Sequence, residues 1–254
     1  MMKKYLLVLM AAVMLVGCHK KATLKERFES ITNNGVAAYR AAENPVEAEN
    51  AVNNMQDSIY MLLDEHIGEP YSDSIFFKVY YMLEPEQRKA LFDKMPKEML
   101  ESEDMAELHE VFMTELETSA GKQFIDFSAL TPAGEELALS SLIGQTDFVL
   151  VDFWASWCNP CRRLIPVLKE IYASQPESRL QILSCSVDSD ESAWLQALEE
   201  EEMAWVQVRE DAEHACSDLY AVKGIPTTIL INRDGLIIAR NPDEAELEAI
   251  LVGE

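Results

Sequence analysis

Two cysteines carry the chemistry of this chain. Cys158-Asn159-Pro160-Cys161 follows an apolar, β-branched run at 148–153 and precedes a helix-like run at 162–172. That context predicts a strand, a tight turn and a helix. A C-x-x-C pair at the first turn of a helix can close a small disulfide loop. Its first sulfur then faces the orphan N–H groups and the positive end of the helix dipole. That setting lowers a thiol pKa and makes Cys158 a thiolate nucleophile near neutral pH. Cys161, deeper in the helix, is the resolving thiol that attacks the mixed disulfide. The predicted chemistry is thiol–disulfide exchange, with Cys158 and Cys161 as a redox disulfide. Pro160 fills a first-turn position whose missing N–H costs nothing. No metal is expected at the pair. Half a zinc site needs a second C-x-x-C or a spaced histidine pair, and His66, His109 and His214 are scattered. No cofactor is expected.

Asp152 is the second residue with chemical promise. It interrupts an otherwise apolar strand just before the cysteine pair. A central parallel strand is buried on both faces, so the carboxylate is desolvated and its pKa rises.

The elements that must position these groups follow from the pattern of residues 119–254. Short strands are predicted at 124–127 and 136–139, around the turn 131–134. Strand 148–153, helix 160–172, strand 180–187 and helix 191–202 come next. A short edge strand at 205–208 and a helix at 212–220 follow. Strand 227–232, a turn at 233–235, strand 236–240 and helix 244–251 complete the order. The remaining cysteines fall within this frame, Cys185 on a central strand and Cys216 on a helix. Both read as small buried hydrophobes, with a structural disulfide between them as the alternative.

The segment Val151-Asp-Phe-Trp-Ala-Ser-Trp-Cys-Asn-Pro-Cys161 resembles the active site of thioredoxins. Val222-Lys-Gly-Ile-Pro-Thr-Thr-Ile-Leu-Ile231 resembles the thioredoxin loop that carries a cis-proline, followed by a strand. The two motifs stand in the right order, and the resemblance covers roughly half the chain. It implies an α/β thioredoxin fold, a central mixed sheet flanked by helices. It also implies that Asp152 lies beneath the disulfide and moves a proton to or from Cys161. Pro226 matches the cis-proline, and Ile225 before it would pair with an extended substrate strand. Trp157, with Ile225 and Pro226, is assigned to substrate binding. The added N-terminal strand pair and the helix after the second main strand resemble envelope-facing reductases of the TlpA/ResA type. Those proteins often carry glutamate where this chain has Leu164.

Residues 18–118 read as a separate all-helical domain of unknown role. Val52, Met55, Ile59, Leu62, Leu63 and Ile67 form one apolar stripe, Leu24, Phe28, Ile31, Val36 and Tyr39 another, and Ser72-Asp73-Ser74 reads as a cap cluster. Residues 118–122 read as the linker. The chain opens with Lys3 and Lys4 and an apolar run at 6–16, shorter than the ~20 residues of a bilayer span. Residues 1–17 therefore read as a secretory signal. Its end, Leu15-Val16-Gly17-Cys18, resembles a bacterial lipobox, which implies a lipid anchor on Cys18.

The net charge is −24, with 45 acidic against 21 basic residues, and both halves share the excess. A field of that sign disfavours nucleic acid and anionic lipid. The reading is a lipid-anchored thiol–disulfide oxidoreductase of the bacterial cell envelope, facing the periplasm and reducing protein disulfides. Its electrons would come from a membrane donor of the DsbD type. The alternatives are a disulfide oxidase or isomerase, and a non-enzymatic lipoprotein whose helical domain binds a partner. A peroxidase fits less well with a tryptophan-flanked C-x-x-C.

Overall fold

A computed structural model describes residues 22–211 and 215–253. The signal segment 1–17 and the lipidation residue Cys18 lie outside the described residues. Among the described residues, no helix is long and apolar enough to cross a membrane. The chain forms two compact units that divide between Ala106 and Glu107. The sequence reading set its domain boundary at 118/119.

The first unit is helical. α1 (Leu24–Ala41) starts at a capping box, Thr23 with Glu26. α2 (Pro45–His66) starts at Asn44, with Pro45 in the first turn. α3 (Ser72–Val79), α4 (Pro85–Lys94) and α5 (Lys97–Leu100) follow. Ile59, Leu62 and Leu63 of the predicted stripe are buried with Ile75, Phe76, Leu91 and Phe92. Phe76 and Phe92 pack edge-to-face at 5.1 Å. Two expectations change here. Val36 and Tyr39 are exposed, so α1 buries only Phe28. The cap of α3 is Tyr71 at φ 78, and no side chain caps the helix. The Ser72 hydroxyl instead donates to the Glu69 carbonyl at 2.8 Å and accepts the Gly68 N–H at 3.0 Å.

α6 (Glu103–Glu117) spans the division and leads into the second unit. Its strands are β1 (Ser128–Leu130), β2 (Glu136–Ala138), β3 (Phe148–Trp154), β4 (Leu180–Ser186), β5 (Val206–Arg209), β6 (Thr227–Asn232) and β7 (Ile237–Arg240). Its helices are α7 (Asn159–Ser174), α8 (Glu191–Glu201), α9 (Cys216–Leu219) and α10 (Glu244–Val252). One mixed sheet results, in the order β2-β1-β5-β4-β3-β6-β7. β3 runs parallel to β4 and antiparallel to β6, so it is an interior strand, next to the middle one. This is the thioredoxin-like fold, a mixed sheet flanked by helices.

Both faces of β3 are buried, as its continuous apolar run requires. Leu150 and Trp154 pack with Ile165, Leu168 and Ile171 of α7. Val149, Val151 and Phe153 pack on the other face with Leu183, Cys185, Val208 and Tyr220.

The departures from prediction have local causes. The segment 124–127 is not a strand. Its Phe124 N–H donates to Gly235 O at 2.8 Å, and Ile125 exchanges two hydrogen bonds with the Tyr220 hydroxyl, at 3.0 and 2.7 Å. Those bonds take the groups that a ladder would use, and β1 starts only at Ser128. β5 is not an edge strand, because Leu130 of β1 pairs with Arg209 on its outer side. The predicted linker is tied to β7, where Gly121 N–H donates to Ile237 O and Ile237 N–H to Lys122 O, both at 2.8 Å.

Candidate active site

β3 ends at Trp154, and α7 begins five residues later at Asn159. Cys158 is the N-cap of α7, its Sγ accepting the Cys161 N–H at 3.2 Å. A sulfur thus fills the place that a Ser or Asp oxygen usually takes, at the positive end of a helix of 16 residues. Cys158 and Cys161 form a disulfide, with Cα atoms 5.3 Å apart. The two residues are 4% and 2% exposed. Access therefore distinguishes them little, and the N-cap position is what singles out Cys158.

The turn before Cys158 is held from below. Asp188, buried at the end of β4, accepts the Ser156 N–H at 2.8 Å and the Ser156 hydroxyl at 2.7 Å. It also accepts the Ser186 hydroxyl at 2.7 Å. From the helix side, Arg162 donates to Glu201 and Glu200, each at 2.7 Å. These bonds fasten the start of α7 to the end of α8. The sequence reading missed both devices, since nothing local marks Asp188 or Arg162.

The loop before β6 closes the other side. The Ile225–Pro226 peptide is cis. The Ile225 carbonyl oxygen lies 3.7 Å from Cys158 Sγ. Trp157 stands 66% exposed beside the pair, whereas Trp154 is fully buried with both cysteines in one core cluster.

Asp152 lies on β3 between Leu150 and Trp154, on the face of the sheet that carries the cysteines. Side chains alternate along a strand, and both of its neighbours pack there. Its carboxylate is buried and accepts the Ser184 hydroxyl at 2.9 Å. Burial pushes its pKa up from 3.8 to about 6, with the Ser184 bond pulling the other way. Trp205 donates its indole N–H to Ser184 Oγ at 2.9 Å. Trp205, Ser184 and Asp152 form one buried chain of hydrogen bonds.

The disulfide loop at the head of α7, the cis-proline loop beside it and the buried aspartate on the same face of the sheet coincide with a family match. Residues 120–240 match the AhpC/TSA family. They form a thioredoxin-superfamily domain. The thioredoxin-superfamily domain is 26% identical over 120 residues to thiol-disulfide oxidoreductase ResA of Bacillus cereus, covering 47% of this chain and 68% of that protein. It is 33% identical over 99 residues to ResA of Oceanobacillus iheyensis, covering 39% of this chain and 50% of that one. A crystal structure of a thioredoxin-like protein from Bacteroides caccae superposes with a TM-score of 0.61 at 18% identity, covering 91% of this chain and 94% of that one. That likeness is one of fold, and its extent takes in the helical region as well as the thioredoxin-superfamily domain. By its domain and its relatives the chain is a thiol–disulfide oxidoreductase.

Proposed function

We propose that this protein is a lipid-anchored reductant of protein disulfides in the bacterial cell envelope, facing the periplasm. The observation that carries the reading is the Cys158 sulfur capping α7 next to the Ile225 carbonyl. In the reduced enzyme the Cys158 thiolate attacks a substrate disulfide. One substrate thiolate leaves and a mixed disulfide forms. The Cys161 thiol gives up its proton and attacks Cys158 Sγ. That step forms the Cys158–Cys161 disulfide and releases the second substrate thiolate. Two electrons pass to substrate, and the enzyme ends oxidised.

Asp152 is the carboxylate that takes the Cys161 proton, suited to it by a pKa of about 6. Ile225 offers backbone to an extended substrate strand, with Pro226 fixing the loop and Trp157 giving an exposed apolar surface beside the sulfur. A membrane donor of the DsbD type returns the electrons. The anchor is the lipid on Cys18, which becomes the first residue after residues 1–17 are removed. Residues 18–118 are a helical domain of separate role.

Limiting iodoacetamide on the reduced protein near neutral pH, followed by peptide mapping, tests the assignment of the sulfurs. Labelling at Cys158 supports it, and labelling first at Cys161 overturns it. Fractionating cells that carry Cys18→Ser tests the anchor. Release of the protein from membranes is the expected result, and retention without detergent contradicts it.

A further inference from the structure

The face of the sheet opposite the active site holds a second set of sulfur groups. Cys185 of β4 and Cys216, the first residue of α9, are both buried thiols. Glu210, directly after β5, is half-buried beside them. The two Sγ atoms and a Glu210 carboxylate oxygen all lie within 4.8 Å of one another. Cys185 of β4 and the segment from Glu210 to Cys216 thus converge three metal-ligating atoms on one point. The surroundings are apolar, including Leu183, Val208, Ile229 and Tyr220.

From these groups we infer a binding site for a thiophilic divalent d10 cation, with Zn2+ as the type, ligated by Cys185 Sγ, Cys216 Sγ and the Glu210 carboxylate. The size fits. Zinc–sulfur bonds of about 2.3 Å and zinc–oxygen bonds of about 2.0–2.2 Å set tetrahedral ligand separations of roughly 3.5–3.8 Å. The three atoms, all within 4.8 Å of one another, already stand close to that size. The chemistry fits as well. Two thiolates and a carboxylate are the soft and borderline donors that such an ion selects.

The carboxylate is already oriented. Ser217 donates its N–H to Glu210 Oε2 at 2.8 Å and its hydroxyl to Oε1 at 2.9 Å. Each oxygen keeps a lone pair for a metal, and hydrogen bonds of this kind fix a ligating carboxylate. The fourth position falls to water or to the Ser128 carbonyl, 3.5 Å from Cys216 Sγ. Binding breaks two S–H bonds, forms two metal–sulfur bonds and releases two protons to solvent, with no change of oxidation state. The ion would join β4, β5 and α9, and α9 leads directly to the Ile225–Pro226 loop.

The test uses the full-length chain with Cys18, Cys158 and Cys161 changed to serine, kept reduced, and titrated with Co2+. The expected result is one Co2+ per chain with a near-ultraviolet thiolate-to-cobalt charge-transfer band, lost when Zn2+ is added. Cys216→Ala should abolish the band, and Glu210→Gln should weaken binding about tenfold or more. If far-ultraviolet circular dichroism shows that Cys216→Ala is unfolded, Glu210→Gln carries the test. Absence of the band, or its persistence at unchanged affinity in a folded variant, overturns the site. So does mass spectrometry of the isolated wild-type protein showing a Cys185–Cys216 disulfide.

Discussion

Ser184 donates its hydroxyl proton to Asp152 across the β3–β4 ladder, at 2.9 Å. The two residues are direct register partners on neighbouring parallel strands. The same hydroxyl oxygen accepts the Trp205 indole N–H. The bond favours the ionised carboxylate, and burial favours the protonated one. Burial wins, which leaves the Asp152 pKa at about 6.

Ser184→Ala removes the opposing bond and strands the Trp205 N–H. The Asp152 pKa should then rise further. A hydrogen bond to a charged group contributes about 1.5 kcal/mol or more, so the shift should be about one pH unit. The rising limb of the activity–pH profile, which reports the ionised base, should move to higher pH by that amount. An unmoved limb would dissociate Asp152 from the proton transfer.

Asp152 also links stability to pH. Its folded pKa, about 6, lies above its ordinary value of 3.8. The folded state therefore holds its proton more tightly than the unfolded state. No penalty exists below the lower value, and the full penalty is present above the higher one. Stability contributed by this residue falls as pH rises between the two, by ~3 kcal/mol. Asp152→Asn should therefore gain stability relative to wild type between about pH 3.5 and pH 8, by about that amount. Urea denaturation of both proteins at the two pH values measures it. A difference that does not grow with pH would mean that the carboxylate is not desolvated.

Much of this was legible in the sequence, and the rest depends on pairing that sequence does not carry. The unbroken apolar run of β3 marks a central strand, and Cys158-Asn159-Pro160-Cys161 marks the head of a helix. Both depend on local pattern. Ser184, Trp205 and Asp188 do not. Ser184 meets Asp152 only through the β3–β4 register, and Asp188 meets Ser156 only because the end of β4 passes beneath the turn before α7. The early strand was misplaced for the same reason. Tyr220, 95 residues from Ile125, takes the backbone groups that the local pattern assigns to a ladder. In the helical unit, a left-handed Tyr71 replaces the serine cap that composition suggests.

Asp188 should matter more to activity than its place off the cysteine motif suggests. Asp188→Ala leaves the Ser156 N–H, the Ser156 hydroxyl and the Ser186 hydroxyl without their acceptor. A cost of about 2–4 kcal/mol in stability is expected. The turn that presents Cys158 should loosen as well, lowering kcat/KM about tenfold or more. Urea unfolding and insulin-disulfide turnover on the same samples check both. Wild-type turnover in a destabilised variant would show that Asp188 supports the fold but not the site.

Trp157 makes the opposite prediction. It is 66% exposed, so Trp157→Ala should change stability by no more than about 0.5 kcal/mol. As a substrate surface it should raise KM severalfold with kcat little changed. An unchanged KM would remove it from substrate binding.

The central claim is the direction of electron flow, and the reduction potential of the Cys158–Cys161 couple tests it most directly. A reductant must favour its own disulfide over its dithiol. The N-cap position stabilises the Cys158 thiolate and pulls toward the reduced form. The absence of a histidine between the cysteines limits that pull, and an ionised Asp152 opposes it. The full-length protein with Cys18→Ser, equilibrated in thiol–disulfide buffers near pH 7, should give a potential near the ~−270 mV of thioredoxin. Trp157 fluorescence can follow the titration. Each 30 mV corresponds to ~1.4 kcal/mol for this two-electron couple. A potential more oxidising than about −180 mV, the range of disulfide isomerase, would contradict the reductant and establish an oxidase or isomerase in its place.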